Sequence, residues 1–122
     1  MISIIAVITF LVVSFVATKI IYDKIFARYD CEKSINFSEL QEVIDSRQTF
    51  KYNSEENLLS GYLYESPDGG NSTLIVLAPG FGACSNDYLW QIKELTELGW
   101  AVFAFDPTGC CSSEGNSAVG FS

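Results

Sequence analysis

By hydrophobic and polar positions alone, the chain divides into an unbroken apolar run, a polar stretch with scattered apolar residues, and short apolar runs separated by turn residues. The unbroken run, ISIIAVITFLVVSFVAT from Ile2 to Thr18, holds no charge. Continued through Ile20, Ile21 and Tyr22 it gives about 21 residues, which as a helix reach about 31 Å, enough to cross a bilayer. It has no polar face, so as a core helix it would need a large protein around it. A cleaved signal peptide is the second alternative. That reading wants cations before the apolar run, whereas here Met1 leads straight into Ile2. An uncleaved anchor is expected, with cleavage left open.

The polar stretch CEKSINFSELQEVIDSRQ (31–48) reads as a connector, in which Ser38 and Gln41 resemble a capping box opening a short helix through Ile44. Two β-type runs follow, Thr49 to Asn53 and Leu58 to Glu65, around Ser54-Glu55-Glu56-Asn57, predicting an antiparallel hairpin. SPDGGNS (66–72) is a turn signal. TLIVLA (73–78) is a continuous apolar run bounded by turn residues, as for a strand buried on both faces. After the loop PGFGACSND (79–87), Asp87 is placed to cap a helix over Tyr88 to Leu98, with Leu89, Ile92, Leu95 and Leu98 on one stripe and Gly99 ending it. WAVFAFD (100–106) repeats the buried-strand pattern. The result is a βαβ unit with parallel strands and a right-handed crossover. Only PTGCCSSEGNSAVGFS follows it. One helix cannot cover both faces of a parallel pair, so residues 30–122 are expected to belong to a larger α/β domain. The expected division is an anchor over 1–28, a connector over 29–48 and the first part of an α/β domain over 49–122.

Charge and cysteine narrow the setting. The formal net charge is −8, with no cluster of Lys and Arg, so nucleic acid is not an expected partner. Lys19, Lys24, Arg28 and Lys33 all follow the apolar run and none precedes it, which places the C-terminal part in the cytoplasm by the positive-inside rule. Cys31, Cys84, Cys110 and Cys111 show neither disulfide-scaffold nor CxxC spacing, so free thiols are expected. Cys110 and Cys111 are chain neighbours, too close for a relaxed disulfide between them. Cys31 is far along the chain from the others, and the spacing fits no zinc knuckle, so neither a metal site nor any cofactor is expected.

LSGYLYES, then LIVLAPGFGACSNDY, then a helix, then WAVFAFDPTGCCSSEG resembles the N-terminal third of the α/β-hydrolase superfamily, in its lipase, esterase and serine-aminopeptidase branch. The resemblance covers residues 50–115. In that family the loop after the third strand commonly reads H-G-x-G, and the backbone N–H of x helps to hold the oxyanion of the tetrahedral intermediate. The matching stretch is Pro79-Gly80-Phe81-Gly82. The resemblance therefore implies Phe81 N–H as an oxyanion donor, with Gly80 and Gly82 shaping the loop, although Pro79 replaces the usual histidine. The family's loop after the fourth strand, D-x-x-G-x-G-x-S-x-G, maps onto Asp106, Gly109, Cys111 in place of a glycine, Ser113 and Gly115. Asp106 and Gly109 are then supporting residues.

CSSEG has the look of a nucleophile motif, but Ser113 lies seven residues beyond Asp106 with no helix after it, whereas a nucleophile elbow sits directly between strand and helix. A loop serine bonded to backbone is the expectation. No cation or base lies near Cys110 or Cys111 in sequence to activate a thiol. The chain also contains no histidine, so no Ser-His-Asp triad forms within it. The resemblance implies the N-terminal portion of a membrane-anchored hydrolase, tethered through residues 2–22 and acting on an ester, or secondarily an amide or peptide, through an acyl-enzyme. Nucleophile, acid and base would come from elsewhere, leaving these residues inactive alone. The alternatives are a small non-catalytic membrane-tethered interaction protein and a degenerate gene product.

Overall fold

A computed structural model of the chain describes residues 2–31, 38–67, 69 and 73–118. Residues 32–37 of the connector, and 68 and 70–72 of the expected turn, lie outside them. Helix α1 (Ile2–Ile25) is the apolar run, and from Ile4 to Ile25 none of it is buried against the rest of the chain. Its length and composition suffice to cross a membrane. Its two threonine hydroxyls are satisfied inside the helix, as an apolar solvent requires: Thr9 Oγ1 donates to Ile5 O at 2.9 Å and Thr18 Oγ1 to Ser14 O at 2.8 Å.

A four-stranded sheet follows, in the order β1-β2-β4-β3. Strands β1 (Gln48–Ser54) and β2 (Asn57–Tyr64) form the expected hairpin, turning at Glu55 and Glu56. β2 runs antiparallel to β4 (Ala101–Asp106), and β4 parallel to β3 (Leu74–Leu77). Helix α3 (Leu89–Glu97) makes the crossover. Its end is a Schellman turn: Gly99, at φ +93°, donates to Thr96 O, and Trp100 N donates to Leu95 O at 3.1 Å.

The core lies on one side of the sheet. Tyr62, Tyr64, Val102 and Ala104 meet Leu89 and Ile92 of α3 and Leu40, with Val43 and Ile44 of α2 (Gln41–Ser46) at the margin. Within these residues β3 and β4 are covered on one face, as a single crossover helix allows. In β4 the buried positions alternate, and in β3 Leu74 and Val76 point away from the helices and are 52% and 62% exposed. Strand residues alternate between faces, and among the described residues only one face carries helices. Three local expectations change. A 3₁₀ turn, Ser38–Leu40, precedes α2, and Leu40 at its start makes no side-chain cap. Asp87 does not cap α3 but belongs to a 3₁₀ turn, Ser85–Tyr88, where its carboxylate accepts from Cys84 N–H at 2.7 Å. Leu98 falls beyond the helix and is exposed, while Thr96 takes the buried position.

Candidate functional site

The two glycine-bearing loops leave the same ends of β3 and β4, and Asp106 joins them. It closes β4 with its carboxylate 1% exposed. Oδ1 accepts from Ser85 N–H at 3.0 Å and Ser85 Oγ–H at 2.7 Å. Oδ2 accepts from Tyr62 Oη–H at 3.0 Å and Ser112 N–H at 3.2 Å. Burying a carboxylate is costly unless its lone pairs are met, and here four donors from β2 and both loops meet them. Asp106 thereby ties β2 to both loops.

In the loop after β3, Ala83 N–H donates to Gly80 O at 3.2 Å, and Gly82 takes φ +67°, which a residue with a Cβ adopts only at a cost. Gly80 N–H donates to Tyr88 Oη at 3.3 Å. Phe81 N–H has no hydrogen-bond partner among the described residues, so the loop holds out one unused donor between two constrained glycines. The Phe81 ring is exposed and stands edge-on to Phe26, 5.4 Å between centroids, at the end of α1.

The loop after β4 is packed by its own backbone. Gly109 N–H donates to Glu114 O at 2.8 Å with Gly109 at φ +71°. Ser113 is buried, its Oγ–H donating to Asp106 O at 2.6 Å while Oγ accepts from Ser60 N–H at 2.9 Å. With both capacities of its hydroxyl used on backbone, Ser113 is the structural serine expected. A cleft of about 260 Å³ lies between α2, the end of β2 and α3, lined by Val43, Tyr64, Lys93 and Thr96 among others. None of the sequence-predicted site residues lines it.

The strap of residues 26–31 is the feature that sequence reasoning missed. Tyr29 N–H donates to Gly109 O at 2.9 Å, Cys111 N–H donates to Tyr29 O at 2.7 Å, and Ala118 N–H donates to Phe26 O at 3.2 Å. Arg28, counted above only as a cation, reaches the carbonyls of Cys111, Ser113 and Gly115. This pairing carries Cys31 across the fold, where it forms a disulfide with Cys111, Cα to Cα 5.1 Å. The expectation of free thiols throughout is thereby corrected. Eighty residues of sequence separation hid a contact made by the strap. Cys84 and Cys110 remain thiols. Burial, reinforced by the Asp87 and Asp106 carboxylates, pushes Cys84 up to about 12, and burial raises Cys110 also.

No family model and no curated protein matches the chain. Among solved structures it is similar to an α/β hydrolase from Vibrio vulnificus, with a TM-score of 0.59 over 82% of this chain and 36% of that one at 16% identity. It is also similar to an esterase from Pyrococcus furiosus in two crystal forms. There the TM-scores are 0.53 and 0.52 over 76% of this chain, 34% and 35% of that one, at 21% and 22% identity. The chain spans about a third of the length of these proteins. What the likeness establishes is the fold: behind an apolar N-terminal helix, the chain has an α/β-hydrolase-like fold.

Proposed function

We propose that these residues are the N-terminal part of a membrane-anchored serine hydrolase that cleaves an ester through an acyl-enzyme, with an amide or peptide bond as the second substrate class. The observation that carries the reading is the unpartnered N–H of Phe81. It sits between Gly80 and Gly82 after β3, on a loop tied through Ser85 to Asp106. A fixed donor with no partner suits an oxygen that gains charge in a transition state. The 122 residues hold no histidine, so nucleophile, acid and base would be supplied from outside them. Helix α1 is the anchor in this reading. The Cys31–Cys111 disulfide favours an oxidising compartment, whereas the cations after the helix favour the cytoplasmic side for the domain by the positive-inside rule. A protease-accessible tag on the domain in intact cells would reverse that orientation.

The test separates the Phe81 N–H from its ring. In the complete protein, Phe81→Ala keeps the donor, and Phe81→Pro removes it. Phe81→Pro is expected to lower kcat by about 10²–10³ against a small ester, and Phe81→Ala by far less. Equal losses in two folded variants would overturn the assignment. Residues 1–122 alone are expected to turn over no ester and to resist fluorophosphonate labelling. Absence of both activities from the complete protein as well would favour the membrane-tethered interaction reading.

A further inference from the structure

We propose that Cys31, Cys84 and Cys111, once reduced, form an all-thiolate site for one soft cation, Zn²⁺ or Cu⁺. The three residues come from the strap, the loop after β3 and the loop after β4, and their sulfurs lie within 4.8 Å of one another. Cys31 Sγ is 3.0 Å from Cys84 Sγ. A cation about 2.3 Å from each thiolate spaces the sulfurs a little under 4 Å apart, so filling the site takes sulfur shifts of about 1 Å.

The backbone around the three cysteines is held by contacts other than the disulfide. Cys111 is held by its N–H bond to Tyr29 O and by Arg28 on its carbonyl, and Cys84 by its N–H bond to the Asp87 carboxylate. Tyr29, two residues before Cys31, is itself bonded to Gly109. These contacts keep the three loop segments together when the disulfide is reduced, so the shifts needed are side-chain shifts. Cys111 also sits at φ +44°, a left-handed conformation that strains a residue with a side chain. A strained loop residue points to a side chain with a role.

The donor chemistry selects the ion. All three donors are sulfur and the chain offers no histidine, so soft cations are favoured over Mg²⁺ or Ca²⁺. Three adjacent thiolates repel one another, and a cation between them removes that repulsion. Reduction of the Cys31–Cys111 disulfide takes two electrons and two protons from a dithiol, which leaves as its own disulfide. As three metal–sulfur bonds then form, three S–H protons pass to water with no further change of oxidation state. Cys84 is buried while Cys31 and Cys111 are half-buried, giving the site a closed back and an open mouth. An ion there fastens the end of the membrane helix to both loops around Asp106, whereas the disulfide fastens it to one.

The test uses the full chain in detergent micelles, reduced with a phosphine, desalted without oxygen and titrated with Cd²⁺ as a visible soft stand-in. A sulfur-to-cadmium charge-transfer band saturating at one equivalent is expected. Protein left oxidised should give no such band. Cys84→Ser and Cys31→Ser should each weaken binding by about tenfold or more. Cys110→Ser should bind as the wild type does, with far-ultraviolet circular dichroism unchanged across the set. Failure of the reduced chain to give a saturable band, or an unaltered band in Cys84→Ser and Cys31→Ser, overturns the proposal.

Discussion

Asp106 shows how much one residue can hold. Its carboxylate takes four donors, and no cation neutralises it among the described residues, so the charge is stabilised by hydrogen bonds alone. Asp106→Asn keeps the shape but turns an N–H₂ group toward at least one of those donors. The expected cost is about 2–4 kcal/mol, against about 1 kcal/mol for Tyr62→Phe, which removes one neutral donor. Urea unfolding of the detergent-solubilised chain, followed by Trp90 and Trp100 fluorescence, compares the two; equal losses would deny Asp106 its linking role. Tyr64 makes the opposite case. Its buried hydroxyl finds no hydrogen-bond partner among the described residues, and burial raises it above its ordinary value, opposed in part by the Arg47 guanidinium. Below the unfolded value of about 10, both states are protonated and stability is full. Above it the unfolded chain ionises first and binds fewer protons, so stability falls until the folded value is passed. The urea midpoint should therefore drop from pH 8 to pH 10.5, and by less in Tyr64→Phe. Asp106, Ser113 and the Gly80 to Gly82 loop were legible because each sits at a fixed offset from a strand end. Cys31 was not, since its partner is chosen by the backbone pairing of the strap, which leaves no periodic trace.

At the scale of elements, hydrophobic pattern located every strand and helix to within a few residues. It does not say what covers a strand, because an apolar run such as LIVL reads the same whether one or both faces meet a helix. Caps were read from residue type, and there geometry decided otherwise: Asp87 serves the 3₁₀ turn before α3, and Leu40 stands where a capping serine was expected. The loops after β3 and β4 show why two glycines of like φ are not equivalent. Gly82 at φ +67° has nothing within 4 Å of an added Cβ, so Gly82→Ala meets only the conformational cost, about 1–2 kcal/mol. Gly109 at φ +71° is backed by the carbonyl of Ser117, and an added Cβ would collide with main chain that cannot step aside cheaply. Gly109→Ala is therefore expected to cost about 2 kcal/mol more than Gly82→Ala. It should also loosen the strap, since Gly109 O accepts the Tyr29 N–H. Faster hydrogen exchange at Tyr29 and Cys111 in Gly109→Ala, but not in Gly82→Ala, is the readout.

For the molecule as a whole, the decisive feature is the sheet face opposite α2 and α3. Gly61 has no side chain there, and the Phe103 ring lies across it beside Tyr52, 2.5 Å from where a Cβ would stand. That packing shields the middle of the sheet from within. It does not reach β3, where Leu74 and Val76 stay exposed on the same face, nor Phe50 on β1, 44% exposed. β3 is also the outer strand of the described sheet, so its free backbone edge lies next to its exposed apolar side chains. An apolar edge strand of this kind is a template for pairing with other chains. Residues 30–122, freed of α1 and of detergent, are thus expected to associate or to form a molten species rather than to unfold cooperatively as a monomer. Replacing Leu74 and Val76 together by Lys and Glu puts charge on the open face without touching the helix-side core of Ile75 and Leu77. That pair should raise the monomer fraction in sedimentation. If the unsubstituted segment is instead a monomer with a sharp thermal transition, the open face is not what limits its folding. The same pair of substitutions would then be neutral.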